Sequence, residues 1–253
     1  MVRHSSTPHP RSRVFDTALF IAVAVAFGAG VIRGFAGFGT PLFLAPLFAV
    51  LWGPTVMVPL VIVLEVVLST VLVPMSWRDA KPSDIAPIWL GTVVFVPLGT
   101  WLLGTVDPNL IKRLVGVVVL GFAIASLAGW RYRGPRGLAM AGSVGAVGGV
   151  LAGLIGFAGP PVLIYVIGGP DPMARIRANL ILYFGGTAIV VFASTMVAGL
   201  VTPEIWQRFF VLCPVVLVGM WIGARFFRHA GDALARRVAL ILLVLAGLAG
   251  LAG

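Results

Sequence analysis

The sequence predicts an all-α integral membrane protein of about eight transmembrane helices in two homologous halves. Three observations predict it. Hydrophobic residues make up 60% of the 253 and charged residues only 10%, and the mean hydropathy is +1.09, whereas a soluble domain carries about 25% charged residues. Apolar stretches of span length follow one another along the chain, each needing ~20 residues to cross. Finally, one Gly/Pro-rich stretch occurs twice. Residues 30–41 read Gly-Val-Ile-Arg-Gly-Phe-Ala-Gly-Phe-Gly-Thr-Pro, and residues 149–160 read Gly-Val-Leu-Ala-Gly-Leu-Ile-Gly-Phe-Ala-Gly-Pro. Gly34, Gly37, Phe38 and Pro41 recur as Gly153, Gly156, Phe157 and Pro160 at a constant offset of 119. Glycine and proline at this density interrupt a helix. A broken helix once per half, near the bilayer middle, is the pattern of a transporter binding site.

In chain order, residues 1–13 form a polar, basic N-terminal tail. Residues 14–32 are the first span, read as uncleaved because further spans follow. The first break comes next. Residues 42–51 are apolar but too short to cross alone, which predicts a half-helix. The second span, 55–73, lies between Pro54 and Pro74, and the third is 85–106. Asp107-Pro108-Asn109 is a helix-start signal, with an Asp cap and Pro at the first helical position, and opens the fourth span, 110–130. The basic segment 131–137 separates the halves. The fifth span, 138–155, runs into the second break and a short apolar run, 162–167. Gly168-Gly169-Pro170-Asp171-Pro172 is a turn. The sixth span is 178–198. Thr202-Pro203-Glu204 starts the seventh, 209–227, and 234–251 is the eighth.

The duplication extends past the breaks. Gly99 aligns with Gly223 at an offset of 124, followed by Leu110-Ile111-Lys112-Arg113 against Leu234-Ala235-Arg236-Arg237. The domain reading is therefore one transmembrane domain of two repeats, 14–133 and 134–253, behind the tail 1–13. An inverted repeat needs an odd number of crossings per half, which follows if each break counts as a hairpin. Lys and Arg fall about equally on both sides of the plain layout, so they do not orient it.

Composition and position also exclude functions. The net charge of +10 comes from residues at segment edges, where they anchor spans. No soluble domain gathers them into a nucleic-acid surface. His4, His9 and His229 lie outside the spans, no aspartate lies deep in one, and no His/Cys/carboxylate cluster is present. An intramembrane enzyme or a metal site thus has no residues to work with, and no cofactor is expected. Cys213 is alone, so it forms no intrachain disulfide and packs as a small hydrophobe. A passive anion channel is the remaining rival. It would favour a continuous polar pore over isolated polar groups around a break.

A half-helix beginning at a break presents free N–H groups and a positive dipole end, which suits an anion. The expectation is that the segments beginning near Pro41 and Pro160 aim their N-termini at one central anion. That makes Gly37, Phe38, Gly39, Thr40 and Pro41, with Gly156, Phe157, Ala158, Gly159 and Pro160, the candidate substrate-binding residues. Gly30 and Gly149, one turn before Gly34 and Gly153, are read as helix-packing positions. Glu65 is the carboxylate deep inside a span, where an ionised group is expensive. It is a proton-coupling group, half of an ion pair with Arg33, or a residue beside a wetted cavity. Arg33 attracts the anion or reaches the interface. Arg177 and Asn179, close in sequence to the second break, are further candidate contacts for the anion. Ser69, Thr70, Thr100, Tyr183 and Thr187 are polar groups expected to bond the backbone or a neighbouring helix.

With the paired motifs in place, the chain resembles the TauE/SafE family of membrane transporters, the sulfite or sulfonate exporters. The residues that carry the resemblance are 34–39 with Pro41, 149–156 with Gly159, Pro160 and Pro161, the Gly99 and Gly223 blocks, and Arg177-Ala178-Asn179. The resemblance covers nearly the whole chain. It implies a multi-pass protein of the inner membrane that moves a small sulfur-containing anion, such as sulfite, a sulfonate or sulfoacetate. Transport would proceed by alternating access, with protons as the candidate coupling ion. The two copies differ at Arg33 against Ala152 and Thr40 against Gly159, where selectivity would lie. A chain of this size can work alone or as a homodimer.

Overall fold

The computed structural model describes residues 13–36, 39–129 and 132–227. Gly37, Phe38, the tail 1–12, the eighth span and the Leu234 block lie outside them. Among the described residues the elements are all helical: α1 (Arg13–Ala36), α2 (Thr40–Trp52), α3 (Pro54–Ser76), α4 (Pro82–Thr105), α5 (Pro108–Leu127), α6 (Leu138–Ile155), α7 (Gly159–Ile167), α8 (Met173–Val197) and α9 (Pro203–Phe227). Helices α3, α4, α5, α6, α8 and α9 are long and apolar enough to cross a membrane. Large apolar side chains such as Phe20, Leu90, Trp101 and Val197 face outward, as an integral membrane protein requires.

The expected stops and starts hold. Both Gly/Pro-rich stretches interrupt a helix, between Ala36 and Thr40 and between Ile155 and Gly159. The interruptions rest on glycine: Gly39 has φ 104° and Gly156 φ 80°, values that an L side chain adopts only with strain. Asp107 Oδ1 accepts hydrogen bonds from the amides of Asn109 at 2.7 Å and Leu110 at 3.3 Å, which caps α5. Prolines 46, 59, 74, 87, 97 and 214 sit inside helices without ending them.

Helix α3 is the centre, with every residue from Met57 to Glu65 buried. A helix apolar on all sides belongs in the middle of a bundle. It packs against α8, while the two most extensive helix pairs are α4 with α6 and α1 with α9. Glycine sets both close pairs, and it does so in matched places. A Cβ on Gly30 would strike the Val216 carbonyl and one on Gly34 the Met220 carbonyl. Gly149 and Gly153 meet the Thr92 and Val96 carbonyls in the same way. The partners are offset by 124 (216 − 92 and 220 − 96) and the glycines by 119. Gly223 and Gly99 complete the set against the carbonyls of Val31 and Val150, themselves offset by 119 (150 − 31). The packing reading of Gly30 and Gly149 is therefore what the structure contains.

Candidate functional site

Both breaks open onto one cavity. Gly39, Pro41 and Leu42 line it from the first. Gly156, Phe157, Ala158 and Gly159 line it from the second. Arg33 and Ala152 flank it from α1 and α6, Ile62 and Glu65 from α3, and Phe184, Thr187 and Ala188 from α8. The cavity encloses about 420 Å³ of space free of protein atoms, its open mouth included.

The half-helices present their N-termini here without a side-chain cap. Gly39 precedes α2 and Ala158 precedes α7, and neither helix start carries a side-chain cap hydrogen bond. Their first turns carry few N–H groups, since Pro41, Pro160 and Pro161 have none and the Leu42 amide donates to the Gly39 carbonyl, so what each end offers is chiefly the aligned peptide dipoles, about half a positive charge. Pro41 and Pro160 occupy the second helical position, one later than the sequence suggested. Proline is equally harmless there, because that N–H also lacks a partner within the helix.

The charged part of the cavity comes from the first half alone. Arg33 is fully buried at the end of α1. Its Nη2 lies 2.6 Å from Glu65 Oε1 and donates a longer hydrogen bond, 3.5 Å, to Ser69 Oγ. Arg33 therefore does not reach the interface, and the ion-pair reading of Glu65 is realised. The pairing is incomplete: Arg33 Nε and Nη1 and Glu65 Oε2 are buried with no hydrogen-bond partner among the described residues. Burying such groups unpaired is costly. The counterpart of Arg33 in the second half, Ala152, lines the same cavity and brings no charge.

The other sequence candidates divide. Thr40 is buried with its hydroxyl unpartnered, yet it does not line the cavity. Neither does Pro160. Arg177 and Asn179 stand earlier on α8 than its cavity-lining residues. The charge of Arg33 is felt at Arg177. Asn179 is buried, and its Oδ1 accepts the Lys81 amide at 2.7 Å, which ties the start of α4 to α8. Asn179→Ala should lower stability by about 1–2 kcal/mol through that unsatisfied amide, with the KM for transport unchanged. Thermal unfolding beside flux kinetics checks this, and a raised KM would restore Asn179 as a contact for the anion.

Thr70 and Thr100 bond the carbonyls of Val67 at 2.7 Å and Val96 at 3.2 Å, as expected. Ser69 bonds a neighbouring helix, also as expected, by accepting from Arg33 of α1, and Thr187 faces the cavity. Sequence reasoning missed Thr92, whose hydroxyl lies 3.0 Å from the carbonyls of Ile88 and Gly145 and 2.7 Å from the Tyr183 hydroxyl. It joins α4, α6 and α8 at one point. Two guanidiniums steady the far ends of the half-helices. Arg136 donates to the Tyr165 carbonyl at 2.8 Å and stacks on that ring at 4.9 Å. Arg208 sits 4.5 Å over Trp52. Cations at helix C-termini complement the dipole.

Broken helices meeting at a largely apolar cavity that holds one buried ion pair, within a helical bundle, point to a membrane transporter. The wider comparison agrees: the description Sulfite exporter TauE/SafE matches residues 22–250. The chain belongs to the TauE/SafE family, and it is a multi-pass transporter of the inner membrane, not an enzyme. It is 27% identical over 200 residues to the probable inner membrane transporter protein TsaS of Comamonas testosteroni, covering 75% of this chain and 80% of that one. It is 28% identical over 170 residues to the probable sulfite/organosulfonate exporter TauE of Cupriavidus necator, covering 67% and 66%. No solved structure matches the chain.

Proposed function

We propose that the protein carries a small sulfur-containing anion, of the sulfite, sulfonate or sulfoacetate class, across the inner membrane by alternating access. The anion would lie between the two breaks. The observation that carries this reading is the convergence of two uncapped half-helix N-termini and a buried, half-paired guanidinium on one cavity. A tetrahedral oxyanion offers several acceptor oxygens to such donors, and arginine engages oxyanions in a fork. The name of the Cupriavidus relative gives the chemical class.

Alternating access follows from the two-repeat reading, residues 14–133 and 134–253 in inverted orientation. The matched glycine contacts of α1 with α9 and α6 with α4 support it. One bundle rocking against another around a fixed central site is the usual consequence of such repeats.

Purified protein in liposomes should move at least one of sulfite, sulfoacetate, methanesulfonate and taurine faster than protein-free liposomes do. External substrate should also accelerate the loss of trapped labelled substrate, as a carrier does and a passive channel does not. Absence of flux for every anion by folded protein overturns the proposal.

A further inference from the structure

We infer that Glu65 and Arg33 form a proton–anion co-transport unit in which the transported anion binds Arg33 only together with a proton on Glu65. This rests on the anion-transport reading above and adds its coupling ion, its stoichiometry and the atoms involved.

The geometry separates two tasks. The bond between Arg33 Nη2 and Glu65 Oε1 uses one nitrogen of the guanidinium and one oxygen of the carboxylate. The other two guanidinium nitrogens, Nε and Nη1, and the other carboxylate oxygen, Oε2, are buried and unpartnered among the described residues. Both side chains line the cavity. The Nε and Nη1 hydrogens left unpartnered are charge-assisted donors suited to the oxygens of a sulfonate or sulfite. The open carboxylate oxygen is an acceptor only, and while ionised it repels that same anion across the cavity. A proton on Oε2 removes the repulsion and turns the oxygen into an O–H donor.

Charge balance points the same way. The empty cavity holds a neutral pair. A monovalent anion alone would leave one excess negative charge in a low-dielectric site, which is costly. Anion and proton together leave the net charge unchanged. The half-helix ends lower the energy of the bound anion, but as fixed dipoles they carry no mobile charge across the membrane. The step makes one O–H bond on Glu65 when the anion arrives, and the proton leaves with the anion on the other side. Nothing is oxidised or reduced.

Arg33 is the described charge that acts directly on Glu65. On the other elements packed against α3, the Tyr183 hydroxyl of α8 is engaged by Thr92, Arg177 of α8 feels the charge of Arg33, and Arg208 of α9 is held by Glu204 at 2.6 Å. Cys213 also lies on α9. Asp84 of α4 pairs with Lys81 at 3.0 Å, and Lys112 and Arg113 sit in the first turns of α5. Helices α2 and α6 carry no ionisable side chain.

The test uses the full chain in liposomes with a trapped pH dye, for each anion that passes the flux screen. Anion entry should bring protons in, one for each monovalent sulfonate. An imposed gradient of one pH unit should then support about tenfold accumulation, insensitive to membrane potential, because one proton and one monoanion move together. Glu65→Gln should abolish gradient-driven accumulation while anion-for-anion exchange persists with a flattened pH profile. If no anion moves at all, the transport reading itself fails. If anions move without protons, or accumulation follows membrane potential instead, this inference fails and transport stands. Coupling that survives in Glu65→Gln overturns the assignment to Glu65, and the wild-type proton count decides the matter should that variant not fold.

Discussion

Arg33→Ala is expected to abolish anion transport, by about 100-fold or more, because two charge-assisted hydrogen bonds to an oxyanion are lost at ~1.5 kcal/mol each and every 1.4 kcal/mol is tenfold. It should also destabilise the fold. Glu65 would remain buried without its cation, and breaking a buried pair from one side costs about 3–5 kcal/mol. Loss of transport could then reflect loss of protein, so the informative variant is the double one. Arg33→Met with Glu65→Leu removes both charges and fills the space with apolar groups, which is often neutral or stabilising for a buried pair. The double variant should recover the thermal unfolding temperature of the natural protein in detergent and still fail to transport. Transport by a stable double variant would show that the pair is architectural. The helix N-termini alone would then have to bind the substrate.

Much of this arrangement is legible in the sequence, for reasons that differ by residue. Helix ends are local chemistry, so Asp107-Pro108 and Thr202-Pro203 mark the starts of α5 and α9 where they occur. The breaks are legible because Gly and Pro act on their own backbone. The Arg33–Glu65 contact was one of several open alternatives, since the two groups sit on different helices, 32 positions apart. Only the packing of α1 beside α3 decides between them. Asn179 shows how little closeness in sequence fixes. It is near the second break in sequence, but α8 rises 1.5 Å per residue, so a few positions carry a side chain away from the cavity to the Lys81 amide. Thr92 gave no signal, because a lone threonine in an apolar span usually bonds its own helix. Its second role depends on Gly145 letting α6 come close. The stacking of Arg136 on Tyr165 and Arg208 on Trp52 was equally hidden, as both arginines look like ordinary interfacial anchors.

The duplication itself makes the second large prediction. Gly34 and Gly153 are matched positions, and each lets two helix backbones touch. A Cβ on Gly34 would overlap the Met220 carbonyl oxygen and stand 2.7 Å from the Ala224 nitrogen. On Gly153 it would overlap the Val96 carbonyl and stand 2.8 Å from the Gly99 carbonyl carbon. Backbone atoms cannot turn aside as a side chain can, so the helices must part. Overpacking of this kind costs ~1–3 kcal/mol where neighbours can adjust, and more where they cannot. Gly34→Ala and Gly153→Ala should therefore each lower the unfolding temperature strongly, and by similar amounts. Gly28→Ala on α1 and Gly142→Ala on α6 provide the controls, since a Cβ there meets nothing within 4 Å. Those variants should be neutral or gain up to ~1 kcal/mol from helix propensity. Fluorescence-detected size exclusion after heating reads all four. A large effect at Gly153 with none at Gly34 would mean that the α1–α9 contact is not the mechanical equivalent of α6–α4. The halves could not then rock as like bodies around a shared cavity. Equal effects would leave Arg33 and Glu65, which only the first half contributes, as the main break in that symmetry at the site.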